Sequence, residues 1–435
     1  MMHKPIHVAI AGLGVIGSGV ATVIQDHQRH EAAIKLAKIL EINQEGPYAK
    51  PFYDQFPELF ATDVEAVLTD PTIDVIVETI GGRTFAKTLI AAAFKHGKHV
   101  VSANKDLIAT DGQELLELAQ QAERQFLFEA SVGGAIPVIR LMQNYFSLAD
   151  VQEVLGILNG TTNYILSEMD AHNIAFDTVL NEAQAKGYAE QDPTNDVKGY
   201  DARYKIAILI YLITGKWIAV DAIAVEGIDA LELPDFDYAE RMRRKIKLVA
   251  YFSREGSQLK VFVMPLMIPH DHILAKVVGA TNIVTVQGKY SDEISLIGQG
   301  AGSHPTASAI VADIYKIRDL SYSSPASGLD PAYQILPFSE YLFKHTLRID
   351  INDQPGIVAN IGAILEKYHI NIYALEQLPQ YHHREGNREK TIFHLTLEAC
   401  QEGIVQKAIE EINAAAYMAR PVFVLRELYH PEEII

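Results

Sequence analysis

Carboxylates and lysines are concentrated in residues 187–205 of the sequence. Asp201 and Lys205 lie four positions apart in this segment, directly before the apolar run Ile206–Ile213. A helix would place both side chains on one face, with the acid N-terminal to the base as an ion pair prefers. An exposed ion pair is the ordinary interpretation of this spacing. However, a lysine at the start of a buried helix must be paired or have its charged form disfavoured, and such lysines are candidates for proton transfer.

Four other polar segments are candidates for contact with a ligand. Lys105 follows a predicted parallel strand, at the sheet edge where ligands gather, although most lysines are simply surface residues. Residues 129–137 form a glycine turn that would free carbonyl oxygens for a hard cation, or would only connect two domains. Residues 156–164 cluster amides and hydroxyls before a helix, as a ligand site or a capping turn would. Residues 298–306 form a Gly-rich loop suited to a phosphate, a nicotinamide or a plain turn.

A glycine-rich turn at residues 12–19, Gly-Leu-Gly-Val-Ile-Gly-Ser-Gly, follows a predicted strand and opens a helix. In a GxGxxG turn the first glycine permits the tight turn, the second lets backbone approach a pyrophosphate, and the third lets helix and strand pack closely. Four further strand and helix signals follow, which favours dinucleotide binding over a turn without function. The expected cofactor contacts are Gly12, Leu13, Gly14, Val15, Ile16, Gly17 and Gly19.

The choice between NAD and NADP depends on the end of the second strand. An acid there can hold a ribose hydroxyl, and an arginine nearby can hold a 2′-phosphate. Glu41 lies 22 positions after Gly19 and no arginine follows closely, although Lys38 and Lys50 are near. An outward-facing glutamate on a strand edge is an equally plausible interpretation. The sequence leans slightly to NAD and leaves NADP open.

Alternating strand and helix patterns must position these segments. Residues 7–129 alternate short apolar runs with helical periods, which predicts a parallel sheet covered by helices. Farther along, β-like runs at 259–267 and 282–287 and helical stretches such as 238–251 predict a mixed α/β domain with its own sheet. Turn formers at 321–331 predict a linker.

The C-terminal part shows strand, helix, strand, strand, helix and strand in succession. This order predicts a ferredoxin-like βαββαβ unit. The segments are 345–351, 357–367, 370–378, 390–398, 404–414 and 422–428. Histidines at 27/30, 96/99 and 382/383 lack cysteine or carboxylate neighbours in the sequence, so solvated faces are expected for them rather than metal sites.

Composition limits the function classes. A chain of 435 residues is expected to form about three domains. The formal charge of −18 disfavours partners such as nucleic acid or an anionic membrane surface. The longest apolar helix core, Ile206–Ile213, is far shorter than the roughly 20 residues that a bilayer span needs. The single cysteine, Cys400, cannot form an intrachain disulfide, so a reducing cytoplasm is the expected compartment.

Six motifs together resemble the homoserine dehydrogenase family, in the family's order and spacing, across about residues 1–320. They are GLGVIGSGV, SANKDLIA, EASVGGAIP, GILNGTTNYIL, GYAEQDPTNDVKGYDARYKIAIL and GQGAGSHPTASAIVADI. The tail, with a DxPG turn before a helix, resembles an ACT domain, a regulatory module that binds amino acids. The resemblance implies reversible NAD(P)H-dependent reduction of L-aspartate 4-semialdehyde to L-homoserine, on the route to threonine and methionine.

The resemblance also implies roles for individual residues. Lys205 would exchange a proton with the developing alkoxide, and Lys105 and Asp201 would be its catalytic companions. Glu190 would hold the substrate ammonium group. The full substrate-binding set would be Tyr188, Glu190, Asp196, Asp201, Asn159, Gly160 and Thr161. The further cofactor contacts would be Glu41, Asn104, Lys105 and Gly302. The ligands of a structural sodium or potassium ion would be Glu129, Val132, Gly134 and Ile136, mainly through backbone carbonyls.

Two positions depart from the family pattern. Lys198 stands where the family usually has glutamate in its DVEG stretch, which reverses a charge locally. The run Glu41-Ile42-Asn43 lacks the arginine that is common after the second strand. This second departure puts a strong NADP preference in doubt.

The domains expected from the resemblance are an NAD(P)-binding Rossmann domain at 1–136, a catalytic and dimerisation domain at 137–320, a linker at 321–343 and an ACT domain at 344–430. A helix at 305–320 is expected to pack back on the Rossmann domain. Feedback regulation by L-threonine is implied, with Asn360 and Gln377 as effector contacts or as ordinary surface positions. Because ACT pockets usually form between paired copies, a homodimer or homotetramer is expected.

Two alternatives stay open. One is a catalytically inactive amino-acid-sensing binding protein, against which the intact Glu190, Asp201, Lys205 and Lys105 argue. The other is an NAD(P)-dependent oxidoreductase for another amino-acid semialdehyde.

Overall fold

The computed structural model describes residues 4–28, 33–146, 151–319, 333–385 and 388–428. The N-terminal part forms a parallel sheet with the strand order β3-β2-β1-β4-β5-β6, which is that of a doubly wound nucleotide-binding fold. Its strands are β1 (Ile6–Ala11), β2 (Ile34–Leu40), β3 (Phe60–Ala61), β4 (Val75–Glu78), β5 (His99–Ser102) and β6 (Phe126–Leu127). Its helices are α1 (Val15–Gln28), α2 (Lys50–Tyr53), α3 (Glu65–Leu68), α4 (Thr84–Lys95) and α5 (Lys105–Gln121).

The middle part combines helices with long antiparallel strands. Its helices are α6 (Val138–Asn144), α7 (Gly160–His172), α8 (Phe176–Ala185), α9 (Thr194–Val197), α10 (Tyr200–Thr214), α11 (Leu233–Arg241) and α12 (Ser303–Asp319). Its strands are β7 (Val151–Ile157), β8 (Ala224–Val225), β9 (Arg244–Glu255), β10 (Gln258–Pro269), β11 (Thr281–Gly288) and β12 (Ile294–Gln299). The parallel sheet and this second, mixed sheet confirm the predicted α/β class.

Helix α12 lies on the parallel sheet although it follows the middle part in sequence. Alternate residues of β1 enter two cores. Val8 and Ile10 pack with α1 and α12, whereas Ala9 and Ala11 pack with α4 and α5. The Ser303 hydroxyl at the start of α12 donates to the Val15 carbonyl (2.8 Å). The sheet is therefore buried on both faces, which explains its nearly continuous apolar strands.

Strand β9 corrects the helix predicted for residues 238–251. Helix α11 ends at Arg241, and Arg243 has a left-handed backbone with a φ of 56°. Strand β9 then pairs with β10 along its whole length and with β7 on its other side. These long-range pairs satisfy the backbone donors and acceptors of β9 and outweigh the local helical pattern.

The second half of the predicted linker at 321–343 is also corrected. Strand β13 (Gln334–Ile335) pairs with β10. Tyr341 and Phe343 are almost completely buried in an aromatic cluster with Phe262. Residues 333–343 therefore belong to the packed structure, while residues 320–332, which hold the turn-forming run, lie outside the described residues.

The C-terminal part, from residue 342, follows the order strand, helix, strand, strand, helix, strand that the sequence predicts. Its main elements are β14 (Leu342–Asn352), α13 (Ile357–Lys367), β15 (Ile372–Gln377), the short β16 (His383–Glu385), β17 (Arg388–Leu397), the short β18 (Cys400–Gln401), α14 (Glu402–Asn413) and β19 (Phe423–Leu428). We call residues 342–428 the C-terminal unit. Its two helices pack on the sheet through a core of their own.

The C-terminal unit is continuous with the middle part through its backbone. Strand β19 pairs with β10 at Arg426 and Leu266. The mixed sheet therefore runs in the order β12-β11-β7-β9-β10-β19-β14-β17-β15. The unit is thus part of one sheet with the middle strands rather than a separately tethered sandwich. None of the helices that the structure describes is long and apolar enough to cross a membrane.

Candidate active site

Asp201 lies at the centre of a buried cluster of opposite charges. Its Oδ2 accepts hydrogen bonds from Lys205 Nζ (2.7 Å) and from Asn159 Nδ2 (2.9 Å). Its Oδ1 lies 3.1 Å from Lys105 Nζ. Lys205 Nζ also donates to the Leu158 carbonyl (2.7 Å). Asp201 and Lys205 are buried, whereas the Lys105 side chain is 38% exposed.

Three distant elements supply this cluster. Lys105 begins α5, directly after the carboxyl end of β5 in the parallel sheet. Asn159 follows β7 of the mixed sheet and caps α7 by accepting from the Thr162 N–H (2.8 Å). Asp201 and Lys205 lie one turn apart at the start of α10. The cluster therefore forms where the two sheets meet, and neither part contains it alone.

The charges in the cluster set its protonation. Burial alone would raise the pKa of Asp201, but the ammonium groups of Lys205 and Lys105 outweigh it and hold that pKa well below its usual range. The carboxylate of Asp201 in turn raises the pKa of Lys105 far above its usual value, against the effect of burial. Asp201 is thus ionised and Lys105 is a fixed positive charge at any physiological pH.

Asp196 extends the cluster by a second carboxylate. Its Oδ1 accepts from Asn159 Nδ2 (2.7 Å), so that one amide bridges Asp196 and Asp201. Burial raises the pKa of Asp196, and the negative charge of Asp201 raises it further. One amide and two carboxylates therefore form a polar wall beside the two lysines.

The other expected substrate residues line a neighbouring loop. The Thr161 hydroxyl donates to the Tyr188 carbonyl (2.7 Å), and the Tyr188 ring packs on that of Tyr164 at 4.7 Å between centroids. Gly160 is the first residue of α7. Glu190 is exposed in this loop, and its backbone carbonyl accepts from Gln184. The structure therefore places Glu190 on the loop surface and does not bring its carboxylate into the Asp201 cluster.

The glycine-rich turn has the geometry of a phosphate cradle. Gly12 has a φ of 90°. At Gly17 a Cβ would lie 2.0 Å from the Gly12 carbonyl oxygen, so only glycine fits there, whereas the space around Gly14 is open. Leu13 is buried and Val15 is exposed. The residues present thus fit a dinucleotide whose pyrophosphate approaches at Gly14 and the start of α1.

Glu41 lies directly against this turn. Its Oε2 accepts from the Leu13 N–H and its Oε1 from the Asn43 N–H, both at 2.8 Å. The second Gly-rich loop meets the first on its other side, since Gly302, with a φ of 116°, immediately precedes α12 and its contact with Val15. The two loops and Glu41 thus surround the N-terminus of α1.

Glu78 is a buried acid that sequence reasoning missed. It ends β4, is completely buried, and accepts hydrogen bonds from the N–H groups of Ile80 (3.0 Å) and Gly81 (3.1 Å) and from the Ser102 hydroxyl (2.6 Å). The Ser102 oxygen accepts from the Asn104 N–H (3.1 Å), and Asn104 caps α5. Burial raises the pKa of Glu78. An acid ending an apolar strand before a Gly-Gly pair was the signal available in the sequence.

The loop predicted to hold a cation contains a second buried cluster. The Oε1 of Glu129 accepts from the Ile139 N–H (3.0 Å), and Asp313 Oδ2 accepts from the Glu129 N–H (2.8 Å). Arg140 lies 3.3 Å from Asp313. Burial, together with the charge of Asp313, raises the pKa of Glu129 to about 7, and burial raises that of Asp313 to about 6. Two acids thus face one arginine in this cluster.

One histidine expectation is corrected. His99 is partly buried and not on a solvated face, its Nδ1 accepts from the Gln125 N–H (2.9 Å), and burial lowers its pKa to about 4. His382 is exposed as expected, and folding brings it close to the exposed carboxylates of Asp353 and Glu389.

A doubly wound sheet with a GxGxxG cradle, joined to a lysine and carboxylate cluster at the carboxyl end of its strands, defines a dinucleotide-dependent oxidoreductase. The family model described as "Homoserine dehydrogenase, NAD binding domain" matches residues 12–129, and the model described as "Homoserine dehydrogenase" matches residues 137–315. The chain belongs to the homoserine dehydrogenase family, and it is an NAD(P)-dependent oxidoreductase.

Known relatives match almost the whole chain. It is 34% identical to the homoserine dehydrogenase of Neisseria gonorrhoeae, over 97% of this chain and 98% of that one. It is 36% identical to the enzyme of Synechocystis sp., over 94% and 96% respectively. The crystal structure of a homoserine dehydrogenase from Thiobacillus denitrificans superposes with a TM-score of 0.86 at 34% identity and covers 98% of both chains. These relatives favour neither of the two alternative functions.

Proposed function

We propose that the chain catalyses the reversible reduction of L-aspartate 4-semialdehyde to L-homoserine. The observation that carries this proposal is the pair of lysines on one buried carboxylate, 2.7 Å and 3.1 Å from Asp201. A bound nicotinamide cofactor supplies the hydride for the aldehyde carbon. Lys205 then donates the proton that the new alkoxide oxygen requires, and it takes this proton back when the alcohol is oxidised.

The other side chains bind and orient the substrate. Lys105, kept charged by Asp201, stabilises negative charge that develops on the carbonyl oxygen. Asp201 holds both ammonium groups near that oxygen. Asp196 and Glu190 complement the positive amino group of an amino-acid substrate. For Glu190 this role requires the loop at 187–192 to move towards the Asp201 cluster, because its side chain lies exposed on the loop surface.

A comparison of two buried lysines, Lys205 and Lys247, tests the proposal. Lys205→Met should lower kcat for aspartate semialdehyde by about 10²- to 10⁴-fold, the range of general acid catalysis, while NAD(H) still binds. Lys247 is the matched control, because it is also buried and also donates to a backbone carbonyl, that of Val277 (2.7 Å), but lies outside the cluster. Near-normal turnover in Lys205→Met, measured by NADH absorbance, would contradict the assigned role.

We propose that NAD is the preferred cofactor. A 2′-phosphate at the end of β2 would meet the Glu41 carboxylate, which already lies at the turn. The neighbouring Lys50 is engaged with Asp54 (2.7 Å) and Glu45 (3.5 Å), so its charge is largely neutralised for a phosphate. A ratio of kcat/KM values above one for NADH over NADPH is the expected result.

We propose that a sodium or potassium ion binds at Glu129 and at the backbone carbonyls of Val132, Gly134 and Ile136. The oxygen-only donor set suits a hard cation. Glu129 and Asp313 are buried beside each other and Arg140 pairs with Asp313, so that a cation would stabilise the ionised form of Glu129. The ion would be structural, fixing the crossover between the two sheets.

We propose that the C-terminal unit is an ACT domain that senses L-threonine and that the enzyme is a homodimer or homotetramer. Its βαββαβ order supports this assignment. The Gln377 amide donates to Thr391 (2.7 Å), which lines a cleft of about 680 Å³ between the unit and α11. The Asn360 amide oxygen accepts from the Tyr417 hydroxyl (2.9 Å).

Saturating L-threonine should lower kcat/KM and raise the melting temperature. Asn360→Ala and Gln377→Ala should weaken both effects. An enzyme whose activity and melting temperature ignore threonine would exclude this effector, and sedimentation velocity measures the oligomeric state.

A further inference from the structure

A short loop lies between the start of helix α10 and the C-terminal unit and contacts both of them. We call residues 226–229 (Glu-Gly-Ile-Asp) the junction loop. On one side, Glu226 accepts a hydrogen bond from Arg426 of β19 at 2.8 Å. On the other side, the loop lies against the turn at 197–199, where α10 begins. Nothing in the residue types of this loop suggests chemistry, so its importance comes from its position.

The contact with the α10 turn is made by backbone and is therefore stiff. The Ile228 N–H donates to the Val197 carbonyl (2.8 Å). At Gly227 a Cβ would lie 2.4 Å from that same carbonyl oxygen, so the two chains touch as closely as glycine allows. Lys198 adds an ion pair with Asp229 (2.7 Å). A shift of the junction loop must therefore move the first turn of α10 as well.

The contact with the C-terminal unit rests on a buried anchor. Arg426 is 2% exposed, and its Nε and Nη2 donate to the two oxygens of Glu402 at 2.8 Å and 2.7 Å. Glu402 also lies 2.9 Å from His345 Nε2. The guanidinium therefore has a fixed orientation, and its remaining Nη1 is directed at Glu226. Through this bond the junction loop follows the position of β19.

We infer that Glu226 is a positioning residue through which the C-terminal unit sets the position of α10, and hence of Asp201 and Lys205. This inference rests on the proposed roles of these two residues in proton transfer. Asp201 lies two residues after the cap of α10, at Gly199, so a movement of the turn displaces it directly. Proton transfer tolerates little displacement, because a misplacement of about 1 Å costs roughly 10²-fold in rate.

The test is Glu226→Ala, which removes the link but leaves Arg426 paired with Glu402. We expect kcat to fall about threefold to tenfold, the usual range for coupling residues, with the KM for NADH unchanged. Glu226→Gln keeps an oxygen that accepts from Arg426, and it should recover most of this loss. The rescue separates positioning from a general loss of structure.

Glu427→Ala is the matched control. Glu427 is also on β19 and also bonds the middle part, through Arg244 (2.8 Å), but it does not touch the junction loop. We expect this variant to keep the wild-type kcat. Equal kcat values in Glu226→Ala and Glu427→Ala would overturn the inference. A wild-type enzyme without activity on aspartate semialdehyde would instead overturn the proposed function, so the two failures are distinguishable.

Discussion

Replacing Asp201 with asparagine tests the electrostatics of the cluster most directly. The substitution keeps the side-chain volume and removes the charge that two ammonium groups share, at 2.7 Å and 3.1 Å. Removing one partner of a buried ion pair costs about 3–5 kcal/mol. The Lys105 side chain is 38% exposed and is solvated in the variant, so the Lys205 pair carries most of the loss. We therefore expect the substitution to lower the free energy of unfolding by the lower value of this range, about 3 kcal/mol.

The stability difference between the wild type and the Asp201→Asn variant depends on pH in a definite direction. The pKa of Asp201 is depressed in the folded state, so its contribution is present above the unfolded value of 3.8 and is lost as pH falls through the folded value. The pKa of Lys105 is raised, so its contribution is present below the unfolded value of 10.5 and is lost as pH rises through the folded value. The wild type should therefore exceed the variant in stability most clearly between about pH 4 and pH 10.

The Asp201→Asn substitution should lower kcat by more than it lowers the stability of the fold. With the carboxylate gone, an amide cannot hold both ammonium groups, and we expect kcat to fall by about 10²- to 10⁴-fold. The pKa of Lys105 should also fall, because the carboxylate of Asp201 is what raises it. Urea unfolding at several pH values and kcat profiles in both directions measure these effects. Asp54→Asn, in an exposed pair with Lys50, is the control and should leave the stability nearly unchanged. An Asp201→Asn enzyme with wild-type kcat and wild-type stability would refute the reasoning.

Three further predictions concern the cofactor and the cation loop. In buffer free of sodium and potassium, the raised pKa of Glu129 means that its contribution to stability should fall by about 3 kcal/mol as pH rises from 4.5 to about 7, since a pKa unit is worth about 1.4 kcal/mol. Glu129→Gln should flatten this fall and abolish any rise of melting temperature with sodium or potassium, and an unchanged pH dependence would exclude the assignment. Glu41→Ala should lower the ratio of kcat/KM for NADH over NADPH by about tenfold or more, because a hydrogen bond to a charged group is worth about 1.5–3 kcal/mol. A constant ratio would show that Glu41 does not select the cofactor. Gly17→Ala should abolish NADH binding in a fluorescence titration, because its Cβ would lie 2.0 Å from the Gly12 carbonyl oxygen, and normal affinity would contradict the cradle.

Features that depend on a few neighbouring residues were predictable from the sequence. The turn at 12–19 needs glycine for backbone reasons that local geometry alone imposes. The i, i+4 spacing of Asp201 and Lys205 becomes a 2.7 Å contact as soon as the helix forms. The order of elements in the C-terminal unit likewise follows from local periodicity.

Features that depend on distant partners were not predictable in this way. Residues 244–255 form a strand because β7 and β10 flank them, and residues 334–343 are ordered because the aromatic cluster covers Tyr341 and Phe343. Glu78 accepts its hydrogen bond from Ser102 only because folding places the next strand beside it. The family motif predicts that Glu190 contacts the substrate, but the structure places Glu190 on the surface of a loop.

The class of chemistry can be recognised along the chain, because the glycine-rich turn for a dinucleotide and the acid and lysine for proton transfer have characteristic local spacing. Which charges meet depends instead on long-range packing. Lys105 Nζ and Asp201 Oδ1 are 3.1 Å apart although Lys105 begins α5 in the N-terminal part and Asp201 lies on α10 in the middle part, and the burial of Asp201 strengthens the attraction between them. The same holds for Arg426 and Glu226, whose contact joins the C-terminal unit to the junction loop beside α10 and depends on long-range sheet pairing.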